Sequence, residues 1–166
     1  MNLRLNSPYP FYYSSFKSIA GTAAALTVAV FLFIYIIEPF SYNFDEHRYS
    51  FLVISLLNGI LVGIVITIFL LLLKFTTPTL FQEENWTVGK EISLWLSLLL
   101  FIGVANFFLR ELIYDNPDNF SLRYLITEIS NTYVVGSLFA VVAIMANYIH
   151  LLRSSTEKSI KWNELL

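Results

Sequence analysis

The chain contains no cysteine, which excludes disulfides, thiolate nucleophiles and cysteine-ligated metals and leaves the redox compartment open. Charge is scarce as well. Asp, Glu, Lys and Arg make up 13% of the 166 residues, against roughly 25% in soluble domains, so an ordinary water-soluble fold is excluded. Ten Lys and Arg against twelve Asp and Glu leave a net charge of -2, and no basic surface is available to neutralise a run of phosphates; nucleic acid is not a partner of this chain itself. Histidine occurs only as His47 and His150. A zinc site needs three or four converging ligands, and no carboxylates join either histidine at ligand spacing, so no metal is expected. A serine nucleophile needs a neighbouring base and an orienting group, and no histidine or lysine lies at membrane depth to supply one. Neither an enzyme nor a cofactor is expected. No internal repeat and no low-complexity segment interrupts the chain.

What is abundant is apolar. Hydrophobic residues make up 57% of the sequence, mean hydropathy is +0.66, and the apolar residues are gathered into charge-free runs. A helix needs roughly 20 such residues to cross about 30 Å of hydrocarbon, and runs over about 18–37, 49–73, 92–109 and 129–152 qualify. Their length and the lack of period-two alternation favour helices over buried strands. The expected fold class is an all-α integral membrane protein, a bundle of four transmembrane helices. A cleavable signal peptide fits the first run less well, because the run continues from Val30 through Ile37 far past Ala23, Ala24, Ala25 and Ala29.

Basic residues set the expected orientation, because loops rich in Lys and Arg stay in the cytoplasm. Arg4, Lys17, Lys74, Lys90, Arg153, Lys158 and Lys161 fall on one side of the spans, and Arg48, Arg110 and Arg123 on the other. Both termini are therefore expected in the cytoplasm. The chain divides into a cytoplasmic interfacial segment over 1–17, a membrane domain over 18–152 and a cytoplasmic tail over 153–166. The first segment holds Ser7-Pro8-Tyr9-Pro10-Phe11-Tyr12-Tyr13, whose rings suit the headgroup layer. The middle loop is a polar hairpin in which Trp86 offers one ring to the interface, and it has no phosphate-binding glycine pattern.

Polar residues near membrane depth often mark function. Asn106 and Arg110 stand four apart, hence on one helix face. Glu128 and Asn131 open the fourth run, and Glu38 closes the first. Arg110 and Glu111 with Arg123 and Glu128 are read as a polar network at the outer ends of the third and fourth helices, one that could switch between two pairings; the alternative is solvated loop-edge charges of little individual worth. Small residues allow close helix approach: Gly59 and Gly63 in the second helix and Gly136 and Ala140 in the fourth are candidate packing positions, as are Gly21, Ala25 and Ala29 in the first. They serve either packing within the bundle or homodimerisation.

Several strings have a familiar ring when taken together. Ile37-Glu38-Pro39-Phe40, Trp86-Thr87-Val88-Gly89-Lys90-Glu91-Ile92, and Leu112-Ile113-Tyr114-Asp115-Asn116-Pro117 followed by Ser121-Leu122-Arg123-Tyr124, Glu128-Ile129 and Asn131-Thr132 resemble the membrane-embedded N-terminal region of LytTR-type bacterial transcriptional regulators. The proline- and aromatic-rich N-terminus fits as well. The resemblance implies four membrane helices followed by a cytoplasmic LytTR domain, mostly β, that binds DNA. Only residues 153–166 follow the last run, fewer than a folded domain requires, so the chain is expected to be either a piece of such a regulator or a stand-alone membrane module. The expected function is the anchor and sensory module of a regulator in the bacterial inner membrane. Its expected partners are the lipid bilayer and a second copy or another membrane protein, with DNA reached only through the LytTR domain this chain lacks. A structural or assembly subunit of a membrane complex is the alternative. A transporter or channel is disfavoured, because its broken helices and midplane charges are missing from the runs.

Overall fold

The computed structural model describes residues 5–9, 13, 15–38, 47–79 and 85–164, with side chains beyond Ala146 described only at Ile149. Arg4, Phe11, Tyr12, Pro39, Phe40, Glu83 and Glu84, and the side chains of His150, Arg153, Lys158, Lys161 and Trp162, lie outside the described residues. Four helices follow one another: α1 (Phe16–Ile37), α2 (Phe51–Thr76), α3 (Val88–Ile113) and α4 (Leu122–Glu164). Among the described residues no strand forms, and extended pairing is confined to isolated bridges between Pro8 and Thr87 and between His47 and Tyr114.

Each helix starts and stops for local reasons. The Ser15 side chain accepts from the Ser18 N–H and Thr87 from the Lys90 N–H, satisfying amide groups that a first turn leaves unpaired. Helix α1 ends where Glu38 turns into the left-handed region, φ 46°, with its N–H on the Ile34 carbonyl. The next residue is a proline, which cannot continue the hydrogen-bonding ladder.

All four helices are long and apolar enough to cross a membrane, with mean hydropathy from 1.8 to 2.8 over their best windows. Their outward faces are apolar too: Ile60, Ile64, Ile68 and Leu72, one turn apart down α2, are all exposed. Such a surface in water would be one large sticky patch. This is the architecture of a multi-pass membrane protein.

The helices run further than the charge-free runs. Helix α3 starts before Glu91 and continues past Arg110, and α4 begins at Leu122 rather than near Glu128, because these charges are compensated inside the fold. Helix α4 also continues through most of the expected tail. Its apolar window ends at Ala146 and its backbone remains helical to Glu164. At 1.5 Å per residue, its 43 residues extend about 64 Å, roughly twice the hydrocarbon thickness.

Packing is pairwise: α1 lies on α2, α3 lies on α4, and a lesser contact of α2 with α3 joins the pairs. Glycine sets both close approaches. A methyl group at Gly59 would meet the Thr27 carbonyl oxygen at 2.7 Å, and one at Gly103 would meet the Ile129 Cα at 2.8 Å. Gly63 lies against the Thr27 side chain and Gly136 against Leu99, while Ala140 is buried in the core with Ile19, Ile66 and Leu70. The face of Gly59 and Gly63 is thus occupied by α1 of the same chain. Gly21 has open space before it, and Ala25 is exposed, so the small residues of α1 at those positions serve no packing within the bundle.

Substitution should separate these sites. Gly59→Ala forces backbone against backbone and is expected to lower the unfolding free energy of the detergent-solubilised protein by about 1–3 kcal/mol. Gly63→Ala meets a side chain that can rotate and should cost less. Gly21→Ala should be neutral or stabilise by up to about 1 kcal/mol, all three read from denaturant titrations followed by circular dichroism.

Candidate functional site

Two polar clusters form at opposite ends of the bundle, and a cavity lies between the helix pairs. The first cluster begins with Arg110, in the last turn of α3. Its side chain is buried, and Nη1 donates to Glu128 Oε1 at 2.6 Å. The guanidinium carbon sits 4.3 Å from the Tyr114 ring centroid and 3.8 Å from that of Tyr124. A planar, weakly hydrated cation suits such a slot better than an ammonium would. One turn earlier, Asn106 Nδ2 donates to Thr132 Oγ1 at 3.2 Å. The two contacts are rungs of one antiparallel ladder, since a step of four down α3 is matched by a step of four up α4.

The loops complete this end. Asn116 Nδ2 donates to the Tyr124 hydroxyl, and the buried Asn119 donates to the Tyr114 carbonyl at 2.9 Å and to Glu111 at 3.3 Å. The His47 ring lies against Tyr114 with centroids 4.6 Å apart, the Arg48 N–H reaches the Ile113 carbonyl, and its side chain pairs with Asp115 at an exposed site. The structure therefore brings Asn106, Arg110, Glu128 and Asn131 together around one space. Glu111 is tied to Asn119 instead, while Arg123 and Glu38 are exposed and form no ion pair among the described residues. Sequence reading missed Tyr114, Tyr124 and Thr132. Thr132 was legible as the residue four beyond Glu128; nothing in a linear reading marks two tyrosines as the walls of an arginine slot.

The cavity has a volume of about 230 Å³. Leu26, Val30, Val62, Leu99, Ile102 and Val135 give it an apolar wall drawn from all four helices. Its polar residues include Asn58, Asn106, Arg110, Glu128, Asn131 and Thr132, together with His47, Tyr114 and Thr127. Two of these carry buried atoms without a hydrogen-bond partner among the described residues, the acceptor Asn106 Oδ1 and the donor Arg110 Nε. Such atoms are uncommon and costly. The chemistry of this space is that of a binding site: apolar bulk with a few polar groups that fix orientation. Among the described residues no three His, Asp or Glu side chains converge as a metal set.

The second cluster is centred on Glu91, in the first turn of α3. The carboxyl group is buried and accepts from the Trp86 indole at 2.8 Å, the Trp95 indole at 3.0 Å and the Tyr13 hydroxyl at 3.0 Å. Burial first, and then the neighbouring Glu91 carboxylate, hold the Tyr13 hydroxyl well above its ordinary pKa of 10.0, so it remains a donor. The N-terminal segment pairs with the start of α3, the Tyr9 N–H on the Trp86 carbonyl and the Val88 N–H on the Ser7 carbonyl. The Tyr9 hydroxyl reaches the Ile144 carbonyl of α4 at 3.0 Å. Tyr9, Tyr13 and Trp86, read from sequence as interfacial rings, are buried in this junction. The spacing of Glu91 and Trp95, four apart on a helix, was the available signal.

No protein-family model, no curated protein and no solved structure matches the chain.

Both clusters can be tested. Arg110→Leu leaves the partly buried Glu128 carboxylate without its cation and is expected to cost about 2–4 kcal/mol of stability, somewhat below the cost of breaking a fully buried pair. The Arg110→Leu/Glu128→Leu double variant should recover most of that loss, so a double-mutant cycle on unfolding free energies in detergent reads a large coupling. Glu91→Gln substitutes an amide that cannot accept from three donors on two carboxylate oxygens. It should cost about 1–3 kcal/mol and shift tryptophan emission to the red as Trp86 and Trp95 lose their acceptor.

Proposed function

We propose that the chain is the membrane-embedded input module of a LytTR-type transcriptional regulator, seated in the bacterial inner membrane with both termini in the cytoplasm and acting without catalysis. The observation that carries this reading is the reach of α4. One helix contributes Glu128, Asn131, Thr132 and Val135 to the cavity and continues as helix to Glu164, well past its apolar window. A change in how α4 packs at the cavity therefore moves a rigid rod that leaves the bilayer on the output side. The Tyr9 hydroxyl meets α4 at Ile144, where the helix leaves the bundle, so the N-terminal segment is in a position to bias the same rod.

The strings that resemble the regulator family support the reading by where they fold. Trp86 to Ile92 builds the Glu91 junction, and Tyr114 to Pro117 with Tyr124 and Glu128 builds the arginine slot. Seven of the ten basic residues fall on the side assigned to the cytoplasm. The mechanism is a shift between two packings of α4 against α3, biased by what occupies the cavity.

The test is a fusion that joins a LytTR domain after Leu166 and reads transcription from its promoter in cells. Arg110→Lys, which keeps the charge but loses the planar fork, should change output at equal membrane levels. A Gly-Pro insertion between Ala146 and Asn147 should abolish any response to Arg110→Lys by breaking the rod. Output indifferent to both changes overturns the proposal.

A further inference from the structure

The cavity between the helix pairs is neither closed nor uniform along its length. Its floor and its rim come from different helices. Val62 and Ile66 of α2 and Leu99 and Ile102 of α3 are buried, whereas Leu26, Val30 and Ile34 of α1 and Val135 and Phe139 of α4, which line the same space, are only half-buried. The helix packing agrees with this asymmetry. Helix α1 lies on α2, α2 on α3 and α3 on α4, but α1 and α4 pack against one another far less, with Phe33 against Phe139 as a ring contact between them. The bundle is thinnest on its α1–α4 side, and for helices of this hydropathy the medium beyond that side is hydrocarbon.

Polarity changes along the cavity in the same sense on three helices. The lining of α3 passes from Trp95, Leu99 and Ile102 to Asn106 and Arg110, that of α4 from Phe139 and Val135 to Asn131 and Glu128, and that of α2 from Ile66 and Val62 to Asn58, with Phe51 and Ile54 beside the polar end. The polar end carries no net charge from Arg110 and Glu128, which neutralise one another at 2.6 Å. From Trp95 to Arg110 the lining extends about 22 Å along α3 at 1.5 Å per residue. One leaflet contributes about 15 Å of the hydrocarbon thickness. Both the gradient and the length are those of a membrane lipid, tail at the Trp95 end and head at the Arg110 end.

Size limits what can enter. A cavity of about 150 Å³ holds benzene, so a cavity of about 230 Å³ holds roughly nine non-hydrogen atoms on the same scale. That is a length of one acyl chain and far less than a lipid with two, whose second chain and headgroup stay in the bilayer. Water matches the polar end but not the apolar one. We infer that the crevice between α1 and α4 is a phospholipid site. One acyl chain, from the leaflet on the Arg110 side, enters between the two helices and lies over Val62, Ile66 and Leu99, with its ester end level with Asn58 and Asn131. The site needs only the embedding of the four helices in a bilayer and stands whether or not the chain is the input module of a regulator.

The experiment uses the full chain in nanodiscs of phosphatidylcholine, a fraction of which carries a diazirine at the end of one acyl chain. Labelled residues are located by mass spectrometry after irradiation. Label should appear on the inward-facing Val62, Ile66 and Leu99 as well as on Ile60, Ile64 and Ile68, which face the lipid on the same α2. Moving the diazirine to a position beside the ester should shift the inward label to Asn58 and Asn131. Val30→Phe and Val135→Phe each fill the crevice and should lower inward labelling by about tenfold, with the lipid-facing label unchanged; either variant suffices if the other does not fold, and the two diazirine positions test the native chain without any substitution. Label confined to the lipid-facing residues overturns the proposal, as does inward label that persists in both folded variants. Inward label at the same residues from both diazirine positions overturns the head-to-tail placement of the lipid.

Discussion

A guanidinium cannot lie uncompensated against an apolar bundle, and the seating of Arg110 governs how the second helix pair closes. Removing a cation from water costs several kcal/mol even after relaxation. Here that cost is offset by three partners: a carboxylate on the facing helix at 2.6 Å and two aromatic rings beneath the guanidinium carbon. Each partner comes from a different place, Glu128 from α4, Tyr114 from the end of α3 and Tyr124 from the first turn of α4. Satisfying one side chain therefore sets the register of α3 against α4 and folds the connection between them. Asn106 and Thr132 repeat the register one turn deeper, and the segment before α2 fastens onto the end of α3 through His47 against Tyr114 and the Arg48 N–H on the Ile113 carbonyl.

Tight pairing has a consequence for the space between pairs. Gly59 and Gly63 bring α2 onto α1, and Gly103 and Gly136 bring α3 and α4 together, while α2 meets α3 over a smaller area. Large side chains then bridge the two pairs, such as Phe33 against Phe139 at 5.3 Å between centroids and Phe69 against Phe101 at 5.1 Å. Phe139 also lines the cavity that remains between the pairs. Filling it would need side chains that the helix-pair glycines do not supply. The second junction closes the opposite end, where Glu91 gathers two indoles and a tyrosine hydroxyl and so pins the N-terminal segment over the helix ends.

The helical class and the four spans were legible because a charge-free run of membrane length has few other uses. The helix ends were less legible, and the reason is specific. Arg110, Glu91 and Glu128 look like boundaries in a linear reading because charge ordinarily stops at the lipid edge. Arg110 and Glu128 are instead carried inside the fold by each other across two helices, and Glu91 by Trp95 on its own helix together with Trp86 and the distant Tyr13, which a one-dimensional scan does not reveal. Asn106 with Arg110, and Glu128 with its neighbour Asn131, were legible as faces through their spacing. That Glu111 would turn to Asn119, and that Arg123 would face outward, depended on the loop from Asp115 to Ser121 and could not be read from spacing. Gly59 and Gly63 were found as a pattern, but only the structure identifies α1 as the surface they meet.

The same constraint that fixes the register also makes it suitable for change. A ladder of two polar rungs on a helix interface is directional, so α4 cannot slide along α3 by a fraction of a turn without breaking both contacts; it can only hold them or step to a new set. The proposed input module uses this as a two-state element, since packed interfaces switch between discrete arrangements rather than deform continuously. The acceptor Asn106 Oδ1 and the donor Arg110 Nε leave the present arrangement incompletely satisfied, which narrows the free-energy gap to any alternative that pairs them. Because α4 carries Glu128 and Thr132 at one end and remains helical to Glu164 at the other, the proposed input module would express a choice between two packings at a distance of many turns. In that proposal the helix itself is the coupling element.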